Sequence, residues 1–369
     1  MKATIRISRL LIVVTAFLIA MNAFGNETRF NPNRQYTLLE NVLSKYETIA
    51  SQGGWQKITG TKKFYQQGES APAIKQLKDR LRATGDYTTQ DNSPVFTPEL
   101  TEAVKKVQYR YGYKQSGVVD AALIKELNVP VETRITQLQA NMERLQQMPA
   151  VTGGTRLIAN IPEFKLHVYE GERLVFDMNV VVGTTANKTV TFNDEMKHIV
   201  FSPYWNVPPS IVKNEILPHM KRNRDYLWRN NYVQTGTENG LPVIRQLPGP
   251  KNALGQVKFL FPNNHNIYFH DTPAKSLFEL RKRAFSHGCI RLAEPAKLAE
   301  YLLRNDPEWT PAKIAKAMDA GKEQWVNLTA PVPIAITYFT AWVDNDGTLH
   351  FREDIYGHDK AAAKKTAGI

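Results

Sequence analysis

The spacing of apolar residues divides the chain into a helical part followed by a strand-rich part. From Ala71 onwards, apolar residues recur every three or four positions, which is the period of a helix with one buried face. This pattern predicts a compact three-helix module over residues 71–130. Its apolar positions are Ile74, Leu77 and Leu81, then Leu100, Val104, Val107 and Tyr111 after Thr97-Pro98, then the cluster 122–127 before Pro130.

Two further helical patterns flank this module. Residues 26–70 are polar and mixed, and their few apolar positions, at Leu38, Leu39, Val42 and Leu43, predict one short helix of unassigned role. Residues 131–153 predict a connecting helix with one apolar face, formed by Ile135, Leu138, Met142 and Leu145.

After Gly153-Gly154 the apolar period shortens to that of β-strands. Strand patterns predict a β-rich core over residues 154–305, and the chain as a whole is therefore expected to be α+β. The patterns fall at 156–161, 165–169, 174–182, 198–202, 232–235, 243–246, 255–261 and 266–270.

A helical segment interrupts these strands. Residues 208–220 have helical spacing, and the aromatic and basic run 222–231 follows them. We expect a helical insertion in the strand-rich domain, at about residues 194–254. After Trp309, residues 310–320 predict a helix, and the turn sequence Asp344-Asn345-Asp346-Gly347 predicts a hairpin. We expect the extension 306–369 to add this hairpin to the edge of the core sheet.

The first 25 residues have the features of an export signal. Lys2, Arg6 and Arg9 precede an apolar run from Leu10 to about Ala23, after which small residues suit cleavage. The run is shorter than the roughly 20 residues that span a bilayer, which favours cleavage over anchoring. An uncleaved membrane anchor is the alternative. Either outcome predicts a periplasmic or cell-envelope location.

The net charge of +12 leaves a basic chain even without the three basic residues of the signal. In an exported protein, this charge suits cell-wall polyanions and lipid head groups rather than nucleic acid. The chain has one cysteine, Cys289, which therefore has no internal disulfide partner. A buried, inert thiol is the alternative to a reactive one.

The segment around Cys289 carries the candidate chemistry. His270 ends an apolar strand, and Ser286, His287 and Gly288 lead directly into Cys289. A cysteine is activated when a neighbouring imidazole takes its proton, so His270 is the expected base. His287, two residues from Cys289, suits a turn or a substrate contact, and Gly288 lets backbone amides approach a developing oxyanion.

The helical module resembles the peptidoglycan-binding domain found fused to cell-wall enzymes, and an unrelated helical spacer is the alternative. The resemblance rests on short motifs distributed over the whole module, at residues 74–77, 96–97, 103–108, 117–120 and 127–130.

Residues 154–305 resemble the L,D-transpeptidase, or YkuD, catalytic domain, through His270 and the Ser286-His287-Gly288-Cys289 signature. The resemblance implies that Cys289 is the nucleophile and His270 the base, which the backbone carbonyl of Asp271 orients. Many members have asparagine where this chain has Arg291. That departure is shared by a subgroup with a capping insertion, which the segment 202–209 also resembles.

The resemblance further implies cell-wall organisation and a role in cell shape, through 3-3 cross-links between peptidoglycan stems. Cys289 would release D-Ala from a tetrapeptide, and an amine would resolve the thioester while the insertion at about residues 194–254 acts as a lid that excludes water. Water, a lipoprotein or a free D-amino acid are alternative acceptors. The candidate substrate or oxyanion contacts are Tyr268, Ser286, His287, Gly288 and Arg291, although a structural role remains open for Tyr268 and Arg291. Carbapenems are expected to acylate Cys289.

Two other functions are alternative interpretations of the same sequence. A zinc D-Ala peptidase would need His and Asp ligands, and the remaining histidines lack zinc-ligand spacing. No metal or other cofactor is expected. A non-catalytic peptidoglycan-binding scaffold, with an incidental thiol, is the second rival. Glycan strands and stem peptides are the expected partners under both the transpeptidase and the scaffold interpretations.

Overall fold

The computed structural model describes residues 29–60, 62–151 and 153–366, and they form two compact units. The first unit contains the described residues up to 153, together with 170–174 and everything from 339 onwards. The second contains 154–169 and 175–338. The first is mainly helical and the second mainly β, so the α+β prediction is confirmed. The predicted export signal lies outside the described residues.

Helices of the first unit begin at residue types that favour helix starts, namely proline and the capping residues asparagine, threonine and aspartate. Proline occupies the first turn of the first three helices, where its missing N–H costs nothing. The side chains of Asn31, Thr97 and Asp120 accept hydrogen bonds from free backbone amides at helix starts. The elements are α1 (Pro32–Ser51), β1 (Phe64–Tyr65), α2 (Pro72–Ala83), α3 (Pro98–Arg110), β2 (Val119–Asp120), α4 (Ala121–Leu127) and α5 (Val131–Gln146).

The apolar positions of the predicted three-helix module form the core of this unit. Leu77 is 2% exposed. The apolar residues that are at most 1% exposed in α2 and α3 are Ile74, Leu81, Leu100, Val104 and Val107. Leu138 of α5 and Leu39 of α1 join the same cluster. The helix predicted from Leu38 to Leu43 is real but longer than expected, since α1 has 20 residues.

The second unit starts with strands that alternate between the core and the surface. Residues of β4, for example, are buried at every second position over its first half. These strands are β3 (Thr155–Asn160), β4 (Lys165–Glu170), β5 (Arg173–Gly183) and β6 (Phe192–Phe201).

An insertion follows β6 and has its own small apolar core around Ile211, Ile216 and Ile244. It is not purely helical, because β7, β8 and β9 form a separate three-stranded antiparallel sheet. Its elements are β7 (Trp205–Asn206), α6 (Pro209–Ile211), a π-helical turn (Val212–Ile216), α7 (Leu217–Arg222), α8 (Tyr226–Arg229), β8 (Tyr232–Glu238) and β9 (Leu241–Gln246).

Two sequence predictions about this insertion are wrong. Residues 194–201 belong to β6 in the main sheet, so the insertion starts after Phe201 rather than at 194. The strand patterns at 232–235 and 243–246 lie in the insertion and not in the core sheet. Short-range alternation identifies a strand but not the sheet that it joins, which explains both errors.

The remaining elements of this unit complete the main sheet. They are β10 (Val257–Leu260), β11 (Phe269–His270), a 3₁₀ helix (Lys275–Glu279), β12 (Ala284–Ser286), β13 (Ile290–Leu292), α9 (Pro295–Leu302), α10 (Pro311–Met318) and β14 (Gln324–Thr337). The strand order is β12-β5-β13-β11-β10-β6-β14-β3-β4. Because β4 also pairs with β5, eight of these strands close into a ring. β14 lies between β6 and β3, so the predicted end of the core at residue 305 is wrong.

The C-terminal hairpin does not extend this sheet. β15 (Ala341–Val343) and β16 (Leu349–Phe351) form a two-stranded sheet of their own, followed by α11 (His358–Thr366). The hairpin packs into the core of the helical unit, where Gln35 of α1 bonds to both backbone groups of Val343. The turn residues correctly predicted a hairpin but not its position. Among the described residues, no helix is both long and apolar enough to cross a membrane.

Gly255, where the insertion returns to β10, provides a stability test. Gly255 has φ +61°, and a Cβ there would lie 2.3 Å from Oδ2 of Asp271. Gly255→Ala should lower the free energy of unfolding by roughly 1–2 kcal/mol for the backbone and by a further ~1–3 kcal/mol for the overlap. Urea unfolding measures this. Gly240→Ala is the control, because Gly240 has φ +75° and open space around it; equal losses would contradict the steric argument.

Candidate active site

A short parallel strand pair brings the two candidate catalytic residues together. β11 and β13 pair with Phe269 opposite Ile290 and His270 opposite Arg291. The Ile290 N–H also donates to the Tyr268 carbonyl at 3.2 Å. Cys289, which directly precedes β13, therefore lies beside the residues that lead into His270. Cys289 and His270 belong to one sequence motif, and the pairing of β11 with β13 brings their segments together in the fold.

Cys289 is a protonated thiol at rest. Burial raises its pKa to about 11, while hydrogen bonds from the Tyr268 backbone and side chain and the charge of Arg291 oppose the rise. The thiol itself lies 3.5 Å from the Asn266 carbonyl oxygen, to which it donates. Burial also raises the pKa of Tyr268, so its hydroxyl stays protonated and able to donate.

His270 is a neutral, oriented base. Burial lowers its pKa to about 3, and the nearby Arg291 charge lowers it too, against a small opposing effect of the hydrogen bond to Asp271. Nδ1 contacts the Asp271 carbonyl oxygen at 2.5 Å. Because a carbonyl can only accept, Nδ1 carries the ring proton and Nε2 keeps its lone pair. That is the tautomer a general base requires.

The Asp271 side chain has a separate task from its carbonyl. Its carboxylate lies 2.5 Å from Lys275 Nζ and accepts the Gln256 N–H at 2.9 Å. Asp271 therefore orients His270 through its backbone carbonyl. Through its side chain, Asp271 holds Gln256, the residue at which the insertion rejoins the sheet.

Ser286 and Gly288 shape the turn before Cys289. The Ser286 hydroxyl donates to the Cys289 carbonyl at 2.5 Å and accepts the Gly288 N–H at 3.1 Å. Ser286 is only 2% exposed, and both of these hydrogen bonds lie within the turn. The Gly288 amide is engaged by Ser286 and does not point to an oxyanion here. Glycine is needed instead for its φ of +119°.

Thr189 is a positioning residue that the sequence did not reveal. Its buried hydroxyl accepts the Gly183 N–H at 2.9 Å and donates to the Gly288 carbonyl at 2.7 Å. It thus ties the end of β5 to the turn that carries Cys289. A threonine outside any motif gives no sequence signal for such a long-range contact.

Arg291 supplies the positive charge of the site. Its guanidinium acts on both Cys289 and His270, and burial lowers its own pKa. Its Nε is buried without a hydrogen-bond partner among the described residues. Such an unused donor beside a nucleophile can bind an anionic substrate group, because a buried polar atom without a partner is costly.

His287 points away from His270 and towards the insertion. Its Nε2 lies 2.9 Å from Oε1 of Glu215, in the π-helical turn, and both side chains are about half exposed. The sequence prediction included His287 but missed Glu215, since a single glutamate in a helical insertion has no distinguishing pattern. Within the described ranges, no group of three or more His, Cys, Asp or Glu side chains is arranged to hold a metal ion.

One thiol, one oriented neutral imidazole and one cation are present in this site, and such a set of groups can support cysteine acyl transfer. Residues 154–314 match the family model of the L,D-transpeptidase catalytic domain, and residues 70–127 match the model described as "Putative peptidoglycan binding domain". The chain therefore contains an L,D-transpeptidase catalytic domain preceded by a peptidoglycan-binding domain. Both resemblances noted in the sequence are confirmed.

Known proteins resemble the chain to different degrees. A relative from Haemophilus influenzae, named "Putative L,D-transpeptidase", is 31% identical over 246 residues, which cover 62% of this chain and 49% of the relative. The chain thus spans about half the length of that relative. A crystal structure of an L,D-transpeptidase from Stackebrandtia nassauensis has 15% identity and a TM-score of 0.28, covering 76% of this chain and 97% of its own.

A second solved structure carries a β-lactam product. It is L,D-transpeptidase 3 from Mycobacterium tuberculosis, in complex with a faropenem-derived adduct. It has 14% identity and a TM-score of 0.25, covering 50% of this chain and 60% of its own.

The resting protonation state predicts how Cys289 reacts with iodoacetamide. With a pKa of about 11, the thiolate fraction at pH 7 is only about 10⁻⁴. The alkylation rate should therefore rise about tenfold per pH unit through pH 9 without levelling off. Mass spectrometry measures it, and the urea-unfolded chain is the reference, because Cys289 is its only cysteine. A rate that is already constant below pH 7 would indicate a preformed thiolate and contradict this assignment.

Proposed function

We propose that the protein is an L,D-transpeptidase that forms 3-3 cross-links in peptidoglycan through an acyl-enzyme on Cys289. The observation that carries the proposal is that the paired strands β11 and β13 bring the segment carrying the chain's single cysteine alongside a buried, neutral histidine whose Nδ1 is held by the Asp271 carbonyl. The matches to an L,D-transpeptidase catalytic domain and a peptidoglycan-binding domain supply the substrate class. This substrate lies outside the cytoplasmic membrane, and export through the signal at residues 1–25 is part of the proposal.

In the first half-reaction, the thiol attacks the amide that joins diaminopimelate to the terminal D-Ala of a tetrapeptide stem. Nε2 of His270 takes the thiol proton as the bond from Sγ to the carbonyl carbon forms. Both groups start neutral, so proton transfer accompanies attack and no ion pair has to exist beforehand. The tetrahedral intermediate then collapses, His270 returns the proton to the leaving nitrogen, and D-Ala departs.

Arg291 and Tyr268 support the charges that develop in this step. As the bond to sulfur forms, negative charge develops on the former carbonyl oxygen, and we assign its stabilisation to the Arg291 cation, whose charge acts on Cys289. A positive charge in a water-poor site stabilises such charge more strongly than it would in water. The free Nε of Arg291 can also hold a stem carboxylate. Tyr268 steadies the sulfur through its hydrogen bonds.

In the second half-reaction, an amine from a neighbouring stem attacks the thioester and regenerates the thiol. If water attacks instead, the product is a tripeptide and the enzyme acts as an L,D-carboxypeptidase. A lipoprotein amine would give a third product from the same intermediate. The insertion between β6 and β10 contacts the catalytic turn through Glu215 and His287, and we assign to the insertion the exclusion of water.

The proposal is tested with purified protein and a disaccharide-tetrapeptide, with products followed by mass spectrometry. Cross-linked dimer and free D-Ala are expected from the wild type. Cys289→Ala and His270→Ala should each reduce both products by at least about 10³-fold, because nucleophile and base act as one unit. His198→Ala is the matched control, since His198 lies on β6 and bonds to Asn327.

Other outcomes favour the alternatives. Tripeptide without dimer would indicate a carboxypeptidase, and the absence of both products with retained binding to peptidoglycan would favour the scaffold function. Activity that survives Cys289→Ala would contradict the acyl-enzyme mechanism.

The same thiol should react with carbapenems, whose strained β-lactam carbonyl resembles the donor amide. Incubation with imipenem should add one drug mass to the wild type at Cys289 and none to Cys289→Ala. Intact-protein mass spectrometry followed by peptide mapping measures this. An adduct on the Cys289→Ala variant would overturn the assignment of the site.

A further inference from the structure

The contact between the Glu215 carboxylate and the His287 imidazole lies at the catalytic turn but has no task in the acylation step. Oε1 of Glu215 is 2.9 Å from Nε2 of His287, and His287 is separated from Cys289 only by Gly288. The two side chains are 52% and 51% exposed. A solvent-exposed pair of this kind adds little to stability, so holding the insertion in place is a weak reason for its position.

The site therefore has two histidines in opposite environments. His270 is buried, is fixed by the Asp271 carbonyl and serves the thiol. His287 is exposed, is paired with a carboxylate and faces the insertion. An imidazole whose partner is a carboxylate can accept a proton, because the carboxylate stabilises the imidazolium that results.

Glu215 is held within a π-helical turn, a geometry that frequently marks functional positions. Two tyrosines of the insertion, Tyr226 and Tyr232, lie close enough to Glu215 for its charge to raise their pKa values, after the larger effect of burial. His219 stacks on Tyr226 at 4.9 Å between ring centroids. The carboxylate thus projects from an ordered aromatic face and not from a loose surface loop.

We propose that Glu215 binds the ammonium group of the acceptor and that His287 removes its proton before it attacks the thioester. This inference rests on the proposed transpeptidase function and names the residues that serve its second half-reaction. The acceptor amine arrives protonated and is not nucleophilic in that form. The Glu215 carboxylate attracts the positively charged ammonium. Water, the competing nucleophile, is neutral and is not attracted in this way.

The step balances as follows in atoms and charge. The ammonium loses one proton to the neutral imidazole of His287, giving an imidazolium paired with Glu215. The amine then forms a bond to the thioester carbon, the bond from carbon to Sγ breaks, and its electrons stay on sulfur. The second proton of the attacking nitrogen passes through His270 to the thiolate, which restores the neutral thiol. His287 releases its proton to solvent.

The test compares Glu215→Gln with Asp225→Asn, which removes the same charge elsewhere in the insertion. Asp225 pairs with Arg229 at 3.6 Å and does not contact the catalytic turn. Each enzyme is acylated with tetrapeptide donor, and the acyl-enzyme is then offered either an acceptor stem or hydroxylamine. The acceptor stem is an ammonium ion at pH 7, while hydroxylamine is neutral and needs no carboxylate.

We expect Glu215→Gln to release D-Ala from the donor at the wild-type rate and to transfer to the acceptor stem roughly tenfold to a hundredfold more slowly. Transfer to hydroxylamine should stay within about twofold of wild type, since no ammonium has to be bound or deprotonated. Asp225→Asn should match the wild type in all three measurements.

Three results would overturn the inference. Equal loss of transfer to both nucleophiles would mean that Glu215 only holds the insertion closed. Unchanged transfer to the acceptor stem in Glu215→Gln, with normal acylation, would remove its proposed role while leaving the transpeptidase function intact. Failure of the wild type to be acylated by the donor would overturn the proposed function itself, and this inference with it.

Discussion

The two-residue parallel pairing of β11 with β13 is the constraint on which the site depends. It sets the backbone of Cys289 beside Tyr268 and that of Arg291 opposite His270. So short a ladder has little stability alone. It is held because β10 and β5 pair on either side and the strands close into a ring, which leaves no room for a slip in register.

Burial then determines how the site works. It keeps Cys289 protonated and His270 neutral, and it places Arg291 where its charge acts on both. Under the proposed mechanism, the thiolate would therefore form only as the thiol attacks a substrate carbonyl. A thiol in this state also resists oxidation, which proceeds through the thiolate. Reactivity is thus coupled to substrate binding.

Features encoded by neighbouring residues could be predicted from the sequence, and features that depend on distant contacts could not. The helical period from Ile74 to Leu81 reports a buried face directly, and the Cys289 signature and His270 are recognisable as a motif. Thr189 and Glu215 reach the catalytic turn across more than seventy residues of chain, and no local pattern carries that information. The same limit explains why turn residues predicted the C-terminal hairpin but not its place in the helical unit.

The bonds between Gln35 and Val343 join residues 308 positions apart, so the helical unit is built from chain on both sides of the β unit. A nascent chain therefore reaches its second half with the first core still lacking the hairpin that fills it. β14, which the ring needs between β6 and β3, ends at Thr337, and the hairpin begins at Ala341. Both units therefore receive their last strands from the same late stretch of chain, and neither core can be completed before that stretch is available.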